Sequence, residues 1–112
     1  MTRTSRLLAR IGIAVAAVTI PLVFAAPAQA RQDRWDILAQ CESGGHWNAN
    51  TGNGYYGGLQ FSGRTWHSYG GGAYARTADH ASRWQQIAIA EKVLRAQGWK
   101  AWPACSRRAG IL

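Results

Sequence analysis

Acidic residues are scarce in this chain. Its 112 residues include five Asp and Glu against thirteen Lys and Arg, a formal charge of +8 at neutral pH. Any carboxylate chemistry must come from Asp33, Asp36, Glu42, Asp79 or Glu91. Cysteine is scarcer still: Cys41 and Cys105 stand alone, with no CxxC spacing, which argues against a zinc site. The three histidines, His46, His67 and His80, show no HExxH spacing. Glycines alternate with aromatics and do not form a phosphate-binding loop. Ser43 sits in CESGG, which is not GxSxG and follows no strand. No internal repeat is present. Metal-dependent hydrolysis, phosphate binding and serine-nucleophile chemistry therefore have no motif here, and no cofactor or metal is expected.

The one long apolar run lies at the start. MTRTSRLLAR carries Arg3, Arg6 and Arg10 and no acid; IGIAVAAVTIPLVFAA follows, then Ala28-Gln29-Ala30. This order reads as a secretory signal peptide over residues 1–30, with cleavage after Ala30. The alternative is a retained anchor, but the run is shorter than the ~20 residues a spanning helix needs and is broken by Pro21. Residues 31–112 then form one domain, exported to the cell wall or beyond, with no stable membrane insertion. A chain of that size buries only roughly 60–65% of its unfolded surface, so its core is marginal. In an exported protein two cysteines are most simply a disulfide. Arg31–Leu112 holds ten basic and five acidic residues, about +5. That balance favours anionic wall polymers or membrane surfaces; outside the cell nucleic acid is not an expected partner. Charge that merely keeps a small protein soluble is the plainer alternative.

Three helices are expected. The first runs from about Asp33 to Ser43, with Asp33 as N-cap and Gly44-Gly45 as stop. Trp35, Leu38 and Glu42 share one face of it. Asn53-Gly54 signals a hairpin turn, with Tyr55, Tyr56, Leu59 and Phe61 in a strand on its far side. A short helix is expected over Ser62–Tyr69. The longest is expected over Asp79–Gln97, capped by Thr77 or Asp79 and stopped by Gly98, with Ile87, Ala90, Glu91 and Leu94 on its inner face.

Glu42 is the residue best placed for chemistry. It faces the core side and ends a helix, where desolvation and the negative helix dipole both raise a carboxyl's pKa. A carboxylic acid still protonated near neutral pH is what general-acid catalysis requires. A surface glutamate at a frayed helix end is the competing reading. Around it lie Trp47, Tyr55, Tyr56, Trp66 and Tyr69 among Asn48, Asn50, Asn53, Gln60 and Thr65, a mixture suited to sugar rings and their polar substituents. Trp35, Leu59, Phe61 and Trp102 read as core; Tyr55, Tyr56 and Trp66, beside glycine turns, read as ligand contacts. A two-carboxylate glycosidase needs a second acid across the sugar. Asp33 and Asp36 fall on other faces of the first helix, and Glu91 could equally be a structural partner. One acid without a clear nucleophile favours a substrate that supplies its own.

WDILAQCESGGHWNANTGNGYYGGLQF, Thr65-Trp66, SRWQQIAIAE and QGWKAWPAC together resemble the catalytic domain of the resuscitation-promoting factors, over about Asp33 to Gly110. These are secreted cell-wall enzymes of actinobacteria. The resemblance implies an α+β, mostly helical, lysozyme-like domain with a small β-hairpin, cleaving the peptidoglycan glycan strand. It places the catalytic acid on Glu42, substrate contacts on Gln60 and Thr65 with Trp47, Tyr56 and Trp66 beside them, and a disulfide on Cys41 and Cys105. It also implies action with a peptidoglycan endopeptidase and promotion of regrowth of dormant cells; separately, a monomer is expected. Trp84 stands where relatives commonly carry an acid. Some members have wall-binding or proline-rich segments that these 112 residues do not contain, so wall retention is expected to rest on charge. The other readings are a non-catalytic glycan-binding signal module and a cationic membrane-active peptide.

Overall fold

Asp33 opens the first helix by a local bond. Its Oδ1 accepts the Asp36 amide N–H at 3.0 Å, satisfying one orphan donor of α1 (Arg34–Ser43). The helix stops at Gly44, whose left-handed φ of 69° favours a residue without a Cβ. Trp35, Leu38 and Ala39 are its buried side. The computed structural model describes residues 33–112; the leader expected over residues 1–30 lies outside the described residues.

The aromatic–glycine stretch folds as two successive turns. Asn50 bridges Tyr56 across the first, with Asn53 Oδ1 accepting the Tyr55 N–H at 3.0 Å. The second spans Gly57–Gln60 and joins β1 (Tyr55–Tyr56) to β2 (Phe61–Ser62), antiparallel, with Tyr56 opposite Phe61. The single strand expected from Tyr55 through Phe61 is therefore broken. Gly57 turns the chain at φ 82°, and Leu59 is buried in the turn itself.

Ser62 caps α2 (Gly63–Ser68) by accepting the Thr65 N–H. Two 3-10 turns follow, Gly71–Ala73 and Ala78–His80. The long helix α3 spans Arg83–Gln97, later than the expected start at Asp79. A capping box decides this: Ser82 Oγ accepts the Gln85 N–H, and Gln85 Oε1 accepts the Ser82 N–H at 2.9 Å. Thr77 and Asp79 serve the preceding turn instead. After Gly98 come a 3-10 turn, Trp99–Ala101, and α4 (Pro103–Arg108), which opens on proline. The Cys41–Cys105 disulfide ties α4 to the last turn of α1. The described residues are thus mostly helical, with one two-stranded sheet and one disulfide.

Aromatic rings fill much of the core. Trp35 lies 5.0 Å from Trp99 and 5.3 Å from Trp102 between centroids, and Phe61 lies 5.4 Å from Trp66. Each buried indole finds an acceptor: Trp35 donates to Glu91 Oε2, Trp66 to the Ala75 carbonyl and Trp102 to the Leu59 carbonyl. No helix among the described residues is long and apolar enough to cross a membrane.

Candidate active site

Glu42 is the penultimate residue of α1. Its position is fixed from two sides, by the disulfide at Cys41 and by the glycine stop at Gly44. The side chain is half-buried, and burial raises its pKa above the ordinary carboxylate value. No cation is among the causes, although the chain is strongly basic. Burial thus favours the protonated form of Glu42.

A depression of about 280 Å³ opens beside it, lined by Glu42, Tyr55, Gln60, Ala101, Trp102 and Pro103. A second, of about 230 Å³, shares Tyr55, Gln60, Ala101 and Trp102 and adds Phe61, Ser62, Thr65, Val93 and Gln97. The shared wall makes them one groove. It runs between the hairpin on one side and the C-terminal end of α3 with the Trp99–Ala101 turn on the other. The groove is built for a ligand with apolar faces and polar edges: Tyr55 and Trp102 supply rings, and Gln60, Ser62, Thr65 and Gln97 supply amides and hydroxyls.

Local bonds fix those polar groups. Ser62 Oγ donates to Thr65 Oγ1 at 3.1 Å. Gln60 Nε2 donates to the Gly57 carbonyl at 3.0 Å, and Gln60 holds a left-handed φ of 55°, rare for a residue with a Cβ. Gln97 Nε2 donates to the Tyr69 hydroxyl at 3.0 Å.

The structure brings Glu42, Gln60 and Thr65 to one groove. Three residues read as lining it go elsewhere. Trp66 is fully buried, its indole bonded to Ala75 and a face covered by Gly71, where a Cβ would come within 2.2 Å of the ring. It belongs to the core. Trp47 packs under the turn at Gly58, and the Arg83 guanidinium sits 5.4 Å from its ring centroid. Tyr56 packs on the core beside its cross-strand partner Phe61. Neither Trp47 nor Tyr56 lines this groove. Trp102, read as core, is buried and also forms the groove's floor. Gln97 was missed; its place just before the Gly98 stop, four residues after Val93, was the available signal.

The other carboxylates are engaged away from the groove. Arg83 binds Asp36 through Nε at 2.9 Å and Nη2 at 2.7 Å, and reaches Asp33 at 3.2 Å. These bonds hold the Asp36 pKa below its ordinary value. Glu91 accepts the Trp35 indole N–H at 2.8 Å, a structural role. Asp79 is buried beside His80. Glu42 is the single carboxylate lining the groove.

Residues 29–105 match the transglycosylase-like domain family. That segment contains Glu42, Gln60, Thr65 and both cysteines. Resuscitation-promoting factor RpfC of Mycobacterium tuberculosis is 46% identical over 113 residues, covering 99% of this chain and 79% of the relative. The chain belongs to the resuscitation-promoting factor family. Rpf1 of Corynebacterium glutamicum, another member, is 56% identical over 98 residues, 88% of this chain and 49% of the relative. RpfE of Mycobacterium tuberculosis is 60% identical over 74 residues, 66% of this chain and 41% of the relative. The chain thus spans about half the length of the Corynebacterium family member.

Proposed function

We propose that this resuscitation-promoting factor is a secreted enzyme that cleaves the glycan strand of peptidoglycan, with Glu42 as its one catalytic acid. The observation that carries the reading is a half-buried carboxyl, alone among acids on a groove of rings and amides. The bond is the β-1,4 link from N-acetylmuramic acid to N-acetylglucosamine. Glu42 gives its proton to the bridging oxygen, the C1–O bond breaks, and the departing sugar leaves with a free 4-hydroxyl. Positive charge then develops at C1, where the substrate's acetamido oxygen stabilises it in place of a protein carboxylate. The ionised Glu42 takes the proton of the muramyl 6-hydroxyl, O6 bonds to C1, and a 1,6-anhydro ring forms. Glu42 ends protonated, ready for another cycle. Gln60 and Thr65, with Tyr55, Trp102 and Gln97, hold the sugars. Cleavage of this kind would open wall for an endopeptidase partner and support regrowth of dormant cells.

Mass spectrometry of fragments from purified peptidoglycan tests the reading. Wild type is expected to release anhydro-ended fragments, lighter by one water than reducing-end ones, and Glu42→Gln to release none while remaining folded and disulfide-bonded. Reducing ends alone would make the reaction a hydrolysis. Activity retained in Glu42→Gln would remove this residue from the mechanism.

A further inference from the structure

None of the five side-chain carboxylates pairs with a lysine, or with any described arginine other than Arg83. Asp33 and Asp36 hold Arg83, Glu91 accepts from Trp35, Asp79 is buried beside His80 and Glu42 lines the groove. The first 32 residues contain no Asp or Glu. Among the described residues, Arg83 is the one Lys or Arg side chain in an ion pair, and the His80 imidazole lies 3.3 Å from Asp79. The other described Lys and Arg side chains make no ion pair among the described residues.

Four of them are carried by segments that pack against one another, α1, the Trp99–Ala101 turn and α4. The Arg34 guanidinium lies 5.9 Å from the Trp99 ring centroid. Lys100 is the next residue along. Ser106 Oγ donates to the Trp99 carbonyl at 2.9 Å, tying the helix that carries Arg107 to the turn that carries Lys100. Arg108 Nη1 stands 3.6 Å from Cys41 Sγ. All four residues are exposed, and none lines the groove. The face is held together by the disulfide and by the packing of α4 on α1 and on the Trp99–Ala101 turn. Arg34 and Cys41 are seven residues apart, about 10 Å along a helix, so the face is longer than one bound ion. α4 begins with Pro103 on the groove wall and ends with Arg107 and Arg108, so the basic face adjoins the Glu42 end of the groove.

We propose that this face docks a phosphodiester-bearing wall polymer and holds the domain on the wall. Charge complementarity selects the class: a repeating anion meets a row of cations that make no ion pair among the described residues. Three of the four are arginines, whose planar fork matches phosphate oxygens two at a time. A carboxylate on a short peptide would engage one of them. The role goes beyond glycan cleavage and does not depend on Glu42.

The test is cosedimentation with insoluble cell wall, either native or stripped with hydrofluoric acid of its phosphodiester-linked polymers. Wild type is expected to bind native wall and to lose binding in about 0.5 M salt, where screening lengths fall to a few ångströms. The triple variant Lys100→Gln, Arg107→Gln, Arg108→Gln is expected to bind native wall roughly tenfold more weakly. On stripped wall, wild type should fall to the level of the variant. Glu42→Gln should bind native wall as wild type does, which separates this result from any failure of the cleavage reading. On soluble glycan fragments the triple variant should cleave at the wild-type rate. Equal binding of wild type and triple variant would overturn the proposal. So would undiminished binding to stripped wall, because the glycan or its peptide carboxylates would then be the anchor. Should the triple variant lose its circular-dichroism signature, the salt and stripping comparisons on wild type still decide.

Discussion

The surroundings of Glu42 favour its protonated form. Ten basic residues follow residue 30, yet none offsets the burial of this carboxyl. An ionised Glu42 would sit half-buried without a partner, and that imbalance can be measured. A carboxyl with a raised folded pKa favours the fold below its ordinary value, 4.5, and that contribution is lost as pH rises through the raised value. Glutamine has nearly the same shape and no charge. Glu42→Gln is therefore expected to gain stability relative to wild type as pH rises from about 4 to about 7, read as a growing difference in melting temperature. Cleavage by wild type should decline over the alkaline part of the same titration, as the acid loses its proton. A melting difference that does not change with pH would mean that burial is not what holds the proton. The half-burial of this residue was legible in the sequence, because Glu42 shares a helix face with Trp35 and Leu38, which are buried. The sequence carried Trp66 badly. An aromatic beside glycines reads as exposed, but here the glycine makes room for the ring: Gly71 lies against Trp66 where a Cβ would collide.

Among the elements, the hairpin that presents Tyr55 and Gln60 is too short to stand alone. Two two-residue strands cannot fix a groove wall, so α3 fixes it. Gln86 is fully buried; its Oε1 accepts the Gly58 N–H at 2.9 Å, and its Nε2 donates to the Trp47 carbonyl at 2.8 Å and the Ala81 carbonyl at 3.0 Å. Gly58 in turn lies on the Trp47 ring, where a Cβ would come within 2.4 Å. Helix, indole and turn are stacked with the polar groups paired throughout. Gln86→Leu keeps the size but leaves one N–H and two carbonyls without this partner, at a cost of about 3 kcal/mol or more. Gly58→Ala pushes on the indole and should cost about 1–3 kcal/mol. Urea unfolding measures both, and cleavage by Gln86→Leu should fall further than its folded fraction, because the hairpin loses its support. This latch was invisible in the sequence. Helical periodicity chose Ile87, Ala90, Glu91 and Leu94 as the inner face, whereas the buried residues are Gln86, Ile89, Ala90 and Val93. A rule that seeks apolar residues places a glutamine outside, and this one is inside because every group on it is bonded. The late start of α3 was legible by a finer rule, since Ser82 and Gln85 have the spacing of a capping box. Gly44 and Gly98 were plain stops, and the helices end there.

For the whole molecule, the disulfide joins stability to chemistry. The described domain is about 80 residues long, and so small a core gives a thin margin. Cys41 and Cys105 are 64 residues apart. Closing a loop of that length contributes about 4 kcal/mol in the chain-entropy model, a large fraction of what such a domain has. Double replacement, Cys41→Ser with Cys105→Ser, should lower the melting temperature by more than about 15 °C. The same bond also assembles the groove. One cysteine precedes Glu42, and the other lies two residues after Pro103 and three after Trp102, which both line the Glu42 depression. Without the crosslink, α4 and the end of α1 remain in contact only through packing and the Arg108 approach to Cys41. The wall that keeps Glu42 half-buried then loosens before the core of Leu38, Leu59, Ile89 and Val93 does. Reduced protein, held well below its melting temperature, should therefore keep its helical circular dichroism and lose most of its cleavage. The optimum for any residual activity should move to lower pH as Glu42 becomes hydrated and its pKa falls back toward 4.5. If activity and helicity instead disappear together on reduction, the crosslink acts on the fold alone and the groove needs no separate tether.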